Sequence, residues 1–157
     1  MILDEYNSKR DFDKTYEPNA VLKDSGKDLV YVIQKHNARN LHWDLRLERA
    51  GVLKSWAVPK EPPKRPGVKR LAVAVEDHPV DYAGFKGTIP EGEYGAGTVE
   101  IWDKGTYVPE KWKKKEIIVD IKGERLKGKY VLIKTKFKGS KNSWLFFKKK
   151  SSQSKKK

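Results

Sequence analysis

Residues 34–48, QKHNARNLHWDLRLE, bring two histidines, an aspartate and two arginines into one short segment with the apolar pattern of strands. If residues 41–49 form a strand, its side chains alternate between two faces, and Trp43, Leu45 and Leu47 share the face that packs into the core. The opposite face carries His42, Asp44, Arg46 and Glu48. Because polar groups buried without partners cost several kcal/mol, this row predicts either a solvated face or a functional site.

Metal binding is the first chemistry that these residues permit. On the preceding predicted strand, alternation aligns Gln34 with His36, and the short connection NARN allows a hairpin that brings His36 close to His42 and Asp44. Two imidazoles and a carboxylate suit Mn²⁺ or Zn²⁺, and Co²⁺ is also compatible with them. Residue types alone leave a simple solvated face open, because short H-x-D matches are common by chance.

Arg46 favours a phosphate at this site. A metal ion would repel a guanidinium two positions beyond its aspartate ligand unless an anion bridges the two, and the planar arginine fork matches phosphate oxygens. A metal and an arginine side by side therefore indicate a phosphate ester.

The segment EDHPVDYAGFKG supplies His78 and Tyr82 directly after an apolar run. Taken alone, His78 is interpreted as a loop histidine rather than a catalytic one. The glycine-rich segment that follows leads into a strand, whereas a phosphate-binding loop requires a helix N-terminus, so we interpret it as turns.

The rest of the chain predicts the elements that position these residues. From Leu29 onward, short runs rich in Val, Ile, Tyr, Phe and Trp are separated by Gly, Pro, Asn and Lys, which is typical of strands and turns. We predict an all-β fold, a single-domain β-barrel of about eight strands with little helix, with a β-sandwich as the alternative. The predicted strands cover 29–36, 41–49, 52–58, 71–76, 97–103, 116–122, 128–137 and 143–149. The tryptophans at 43, 56, 102 and 144 lie within these strands and are expected to be core residues.

Three segments are predicted along the chain. Residues 1–28 are polar and form an N-terminal arm that packs on the barrel, residues 29–150 form the core, and residues 151–157 form a disordered basic tail. The proline-rich basic stretch 59–70 is predicted to be a loop between strands.

Composition narrows the possible functions. The 157 residues carry a net charge of +14, which favours a polyanionic partner such as nucleic acid or an anionic membrane surface. The chain has no cysteine, so thiolate metal sites and disulfides are excluded. With no apolar run of about 20 residues and no signal-peptide core, we expect a soluble cytoplasmic protein, without a membrane partner and monomeric.

Several motifs together resemble one known family. They occur in order from Arg10 to Lys149: RDF with a later EP, QKH…LHWDLRLE, LKSWAVPK, VEDHPVDYAGFKGTIPEGEYGAGTVEIWDKGTY, and RLKGKYVL…WLFFKK. The chain resembles the 3′-phosphoesterase domain of bacterial ATP-dependent DNA ligase D, and because no polymerase or ligase segment is present, the stand-alone form of that domain.

The resemblance implies a Mn²⁺-dependent β-barrel enzyme, both phosphodiesterase and phosphomonoesterase, that heals 3′ ends of primer–templates for ligation. The implied enzyme removes a terminal ribonucleoside and then the remaining 3′-phosphate. Its implied protein partners are a separate ATP-dependent DNA ligase and a polymerase. The implied metal ligands are His36, His42 and Asp44. The implied phosphate-site residues are Arg46, His78 and Tyr82, with Gln34, Lys60 and Arg70 as further substrate contacts. The residues implied in the ribonuclease step are Arg10, Asp11, Glu17 and Glu76.

Two other classes of function remain open from the residues. His42, Asp44 and His78 match the ligand pattern of facial-triad iron oxygenases, for which oxygen consumption and Fe(II) dependence are the tests. A non-catalytic barrel that binds nucleic acid through its positive charge is the other alternative. A simple binding module has no need of a histidine and aspartate cluster, which argues against it.

Overall fold

The computed structural model describes residues 3–12, 17, 28–137 and 140–150. The predicted basic tail, residues 151–157, lies outside the described residues, as does most of the arm. Within the described ranges there are two short helices, α1 at Asp4–Ser8 and a 3-10 helix at Val80–Gly84. The strands are β1 Leu29–Asn37, β2 Leu41–Arg49, β3 Val52–Val58, β4 Lys69–Pro79, β5 Gly87–Ile89, β6 Gly97–Trp112, β7 Glu116–Gly123, β8 Lys127–Lys134 and β9 Ser143–Lys148.

The strands form a closed antiparallel barrel, which confirms the predicted fold and decides against a sandwich. They pair in the order β1-β2-β3-β4-β9-β8-β7-β6, and β6 then pairs with β1 to close the barrel. The short strand β5 pairs with the start of β6 as a ninth, extra strand. None of the helices in the described ranges has the length and apolar character needed to cross a membrane.

The barrel interior is filled by alternate residues of its strands. On β2 these are Trp43, Leu45 and Leu47, as predicted, and each is at most 9% exposed. Trp56 and Trp144 belong to the same cluster, and Trp102 and Trp112 pack against it. Burying such large apolar side chains supplies the main driving force for closing the barrel.

A second apolar cluster covers the outer side of β1 and β2. It joins the arm, the 3-10 helix and the barrel wall, and consists of Tyr6, Leu53, Tyr82, Phe85, Ile89 and Val99. As a result, both faces of β2 are buried from Trp43 to Glu48. The polar row of β2 is therefore buried from Asp44 to Glu48 on the outer face of the barrel wall, and the simple solvated face is excluded.

The short strand β5 was not predicted, and the bounds of the other strands differ from the prediction by three residues or more in three places. β4 was predicted to end at residue 76, yet a register shift between Leu53 and Ser55 lets it continue to Pro79, so His78 lies on a strand and pairs with Leu53. β6 likewise continues beyond residue 103, through a shift next to Pro109. Strand β8 ends at Lys134, three residues earlier than predicted. Bulges of this kind have no clear sequence signal.

Asp103 joins the wall of the barrel to the turn between β7 and β8. Its carboxylate accepts hydrogen bonds from the backbone N–H groups of Glu124, Arg125 and Leu126 at 2.8–2.9 Å, and from the Tyr31 hydroxyl at 2.7 Å. Asp103 is only 2% exposed. Removing this carboxylate would leave buried donors without an acceptor. The free-energy cost of such unsatisfied donors exceeds the net contribution that the hydrogen bonds make to stability.

We expect Asp103→Ala to lower the free energy of unfolding by about 3 kcal/mol or more, because several buried donors lose their acceptor together. Tyr31→Phe removes one of these bonds and should cost about 1 kcal/mol. Urea unfolding followed by tryptophan fluorescence measures both. Equal costs for the two variants would show that the turn does not depend on this carboxylate.

Candidate metal and phosphate site

Cross-strand pairing brings three metal-ligating side chains together. His36 lies directly opposite His42, and Gln34 lies opposite Asp44, in the β1–β2 ladder. His42 Nε2 is 3.3 Å and His36 Nδ1 is 3.7 Å from the same oxygen, Asp44 Oδ2. One ligand atom from each residue lies within 4.8 Å of the other two, so this group could hold a metal ion.

Backbone carbonyls fix the tautomers of both histidines. His36 Nε2 is 2.6 Å from the carbonyl oxygen of Gly95, and His42 Nδ1 is 2.9 Å from that of Asn40. Because a carbonyl oxygen can only accept, each of these nitrogens carries a proton, and the other ring nitrogen of each histidine faces Asp44. That nitrogen donates to the carboxylate when it is protonated and offers a lone pair to a metal when it is not. Metal-ligating histidines need this kind of outer hydrogen bond, so the donor set fits a divalent metal.

Gly95 is suited to its close approach to His36. Its backbone has a φ of +77°, and a side chain at this position would meet the His36 ring at 3.4 Å. A residue other than glycine would be strained in this conformation. The glycine-rich segment interpreted as turns from the sequence thus also contacts the site.

Asp44 is held as a buried anion. Burial alone would raise the pKa of its carboxyl, but the Arg46 guanidinium and hydrogen bonds from His36 and His42 hold that pKa well below its usual range. Burial lowers the pKa of His42, yet its hydrogen bond to Asp44 and the charge of that carboxylate outweigh burial and raise it.

Arg46 is fixed by its neighbours with its guanidinium 3.5 Å from Asp44 Oδ2. Its Nε donates to Gln34 Oε1 at 2.6 Å and its Nη1 to Ser55 Oγ at 2.8 Å. Gln34 in turn donates through Nε2 to the carbonyls of Tyr82 and Phe85, at 2.7 and 3.0 Å. The Gln34 amide thus links Arg46 to the 3-10 helix, and its predicted contact with substrate stays a prediction.

The arm supplies a second buried arginine. Arg10 Nε donates to Glu17 Oε2 at 2.9 Å, and the Tyr82 hydroxyl donates to the same oxygen at 2.6 Å. The side chains of Arg10 and Glu17 are 4% and 1% exposed. Burial, together with the charge of Glu17, raises the pKa of Tyr82, so its hydroxyl keeps its proton.

His78 lies between the two arginines. Its Nδ1 donates to the Glu76 carbonyl at 3.0 Å, and its Nε2 is 3.3 Å from Arg10 Nη2, from which it accepts. Burial and the charges of Arg46 and Arg10 lower the pKa of His78 well below its ordinary value, so the ring is neutral. Because both ring nitrogens of His78 are engaged in hydrogen bonds, neither has a free lone pair for a metal. The group that could hold a metal therefore contains His36, and not His78, beside His42 and Asp44.

One cavity of about 230 Å³ joins these groups. It brings together most of the residues predicted for the site, namely Arg10, Glu17, His36, His42, Asp44, Arg46, Glu76, His78 and Tyr82. Four predicted residues lie outside its described lining. Gln34 is fully buried, and the other three lie elsewhere. Asp11 and Lys60 are exposed, and Arg70 lines a separate surface cavity with its Nε donating to the Glu61 carbonyl at 2.8 Å.

Sequence reasoning missed three residues of the site. Lys9 of the arm lies 3.2 Å from Glu76 Oε1, Ser55 fixes Arg46, and Tyr94 lines the cavity. Ser55 could have been found, because it lies next to Arg46 by simple hairpin register. Lys9 and Tyr94 belong to an arm and a turn whose placement has no periodic signal.

Comparisons with known proteins show which family the chain belongs to. A family model described as the DNA ligase D 3′-phosphoesterase domain matches residues 34–134. The multifunctional non-homologous end joining protein LigD of Pseudomonas aeruginosa is 49% identical over 158 aligned residues, covering 96% of this chain and 19% of that protein. LigD of Mycolicibacterium smegmatis is 48% identical, covering 89% and 19%, and LigD of Mycobacterium bovis is 51% identical, covering 85% and 18%. The chain spans about a fifth of the length of these relatives.

A barrel wall that carries a two-histidine, one-aspartate group beside buried arginines is suited to metal-assisted chemistry on phosphate esters. The chain belongs to the DNA ligase D 3′-phosphoesterase domain family.

We expect Asp44→Asn to weaken Mn²⁺ binding by more than about 100-fold in isothermal titration calorimetry, since even the loss of an outer partner of a metal ligand costs 10- to 100-fold. Binding to the parent protein should weaken as the pH falls through the raised pKa of His42, because the metal needs a neutral imidazole. Asp77→Asn is the matched control, since Asp77 pairs with Lys54 at 3.0 Å outside this group. Unchanged Mn²⁺ affinity in Asp44→Asn would exclude the triad as the metal site.

Proposed function

We propose that this protein is a metal-dependent 3′-end-healing phosphoesterase. It removes a 3′-terminal ribonucleoside and then hydrolyses the remaining 3′-phosphate, which leaves a 3′-hydroxyl for ligation. Mn²⁺ is the metal that we propose, and primer–template 3′ ends are the proposed substrate. Family membership and the possible metal site support this function.

The main observation behind the proposal is that two histidines and an arginine surround the same carboxylate oxygen. Asp44 Oδ2 is a neighbour of both candidate metal-ligating histidines and of the Arg46 guanidinium. A phosphate oxygen placed between the metal position and Arg46 would therefore contact positive charge on two sides. When bound, a divalent metal at His36, His42 and Asp44 would polarise a phosphoryl oxygen and lower the pKa of a bound water.

Arg46 would stabilise the charge that develops on the phosphoryl oxygens. Its bonds to Gln34 and Ser55 use the Nε proton and one Nη1 proton, and a phosphate can accept from the other Nη protons. Because the guanidinium is already fixed, little of it must reorganise during the reaction, which is the source of such electrostatic stabilisation.

Tyr82 and His78 would act on the same phosphate as neutral groups. Tyr82 keeps its proton and donates a hydrogen bond to Glu17 Oε2, so this hydroxyl orients the arm as well as the site. We propose His78 as the group that protonates the leaving oxygen. Its neutral ring would first have to take up a proton against the charges of Arg46 and Arg10.

Removal of a ribonucleoside asks for more than removal of a phosphate. The terminal nucleoside must be held so that its leaving oxygen lies in line with the attacking group. Arg10, Glu17 and Glu76 form a buried network that joins the arm to the cavity wall. We propose that this network holds the terminal nucleoside. Asp11, Lys60 and Arg70 are the proposed contacts to nucleotides farther along the nucleic-acid strand.

Neither of the other function classes is favoured. In an iron oxygenase that uses His78 as a ligand, the ring would have to give up its hydrogen bonds to Arg10 and Glu76. A non-catalytic binder would use the net charge of +14 but would not need the fixed histidine tautomers. The names of the relatives support non-homologous end joining as the proposed context. We propose a separate ATP-dependent DNA ligase and a polymerase as partners.

Two labelled primers, one ending in a ribonucleoside and one in a 3′-phosphate, test the proposal with and without Mn²⁺. We expect the parent protein to process both, and Asp44→Asn to process neither. Glu17→Gln and Glu17→Ala should lower the rate on the ribonucleoside primer at least tenfold more than the rate on the 3′-phosphate primer, because the arm network holds the nucleoside.

Glu5→Gln is the control on the arm, because Glu5 pairs with Lys9 at its exposed side. Glu17 is buried, so a thermal melt must show that each Glu17 variant is folded. No phosphate release by the parent protein would overturn the proposed activity, and equal losses on both primers would overturn the role of the arm.

A further inference from the structure

Tyr94 is an exposed aromatic residue at the rim of the site. Its side chain lines the cavity and is 49% exposed, the largest value among the large apolar side chains of the described residues. Val75, at 37% exposed, lies on the same cavity. By contrast, the Arg46 and Arg10 side chains below them are each only 4% exposed. The cavity therefore has a charged floor and a partly apolar rim.

The position of Tyr94 is fixed relative to the metal ligands. It lies in the turn between β5 and β6, where hydrogen bonds link Glu93 N to Pro90 O and Ala96 N to Glu93 O. The next residue, Gly95, accepts the hydrogen bond from His36. A ring presented by a turn that also contacts a metal ligand is held in place before any substrate arrives.

Positive charges flank the Tyr94 ring on the side of the arm. Lys9 Nζ lies 4.7 Å from the ring centroid and the Arg10 guanidinium carbon 5.5 Å. The Lys9 contact also reaches the hydroxyl, with Nζ 3.4 Å from the oxygen. An aromatic surface beside cations is the combination that binds a nucleobase next to its phosphate.

We propose that Tyr94 is a stacking residue for the base of the 3′-terminal nucleoside, the one released in the ribonuclease step. A phosphate held by Arg46 on the cavity floor leaves the attached nucleoside directed toward the rim. Tyr94 contacts Lys9 and Arg10, the same arm residues that reach Glu76 and Glu17, so it lies with the network that we assign to this nucleoside. Stacking tolerates any base, because every base offers a flat aromatic face.

This inference rests on the proposed function, and binding measurements keep the two separable. Three primers are compared, ending in a ribonucleoside, in a terminal ribose without a base, or in a 3′-phosphate. Fluorescence anisotropy gives the dissociation constant for each primer, and turnover gives KM and kcat. Tyr94→Ala is tested beside Tyr94→Phe and Tyr94→Trp, which keep an aromatic ring.

We expect Tyr94→Ala to weaken binding and raise KM about tenfold for the ribonucleoside primer relative to the primer without the base, with Phe and Trp restoring both. Lys9→Ala reports any loss caused by a looser arm, and Phe137→Ala, which changes an aromatic side chain that is 48% exposed, is the matched surface control.

Losses in Tyr94→Ala that are equal on the primers with and without the base, or fully reproduced by Lys9→Ala, would overturn the proposal. An equal loss on the 3′-phosphate primer would also overturn it, because the base would then belong to the other side of the phosphate. A parent protein that binds all three primers without turnover would count against the proposed function alone.

Discussion

The site depends on one buried negative charge, the carboxylate of Asp44. His36, His42 and Arg46 all direct nitrogen atoms at one of its oxygens, and this positive environment keeps the carboxyl ionised despite burial. An unpaired buried charge would be costly, so the carboxylate, the imidazoles and the guanidinium stabilise one another. A divalent metal bound to this group would bring positive charge next to the Asp44 carboxylate, and a phosphate would bring negative charge next to the Arg46 guanidinium.

The barrel wall provides that arrangement because the two faces of the same strands have different roles. The inner side chains of β1 and β2 fill the core, and the outer ones form the site, so packing on one side fixes the geometry on the other. Gln34 and Ser55 then orient Arg46, while the arm and the 3-10 helix cover the outer face. Pre-organisation of this kind lets fixed dipoles and charges act on a substrate without a large rearrangement.

Most of this organisation could be predicted from the sequence, because it follows from strand periodicity. The pairing of His36 with His42, the core role of Trp43 and the barrel itself were predicted correctly. The bulge that extends β4 to His78, the burial of the polar face and the approach of Lys9 and Tyr94 could not be predicted. They depend on contacts between distant segments, for which a single sequence carries no local signal.

Anomalous diffraction at the manganese edge, from crystals soaked in Mn²⁺, tests the central claim most directly. We predict one strong peak bounded by His36 Nδ1, His42 Nε2 and an oxygen of Asp44, and its disappearance in Asp44→Asn crystals. A peak elsewhere on the protein with none at these three atoms would contradict the account. Asp44 would then be an ion-pair partner of Arg46 and not a metal ligand.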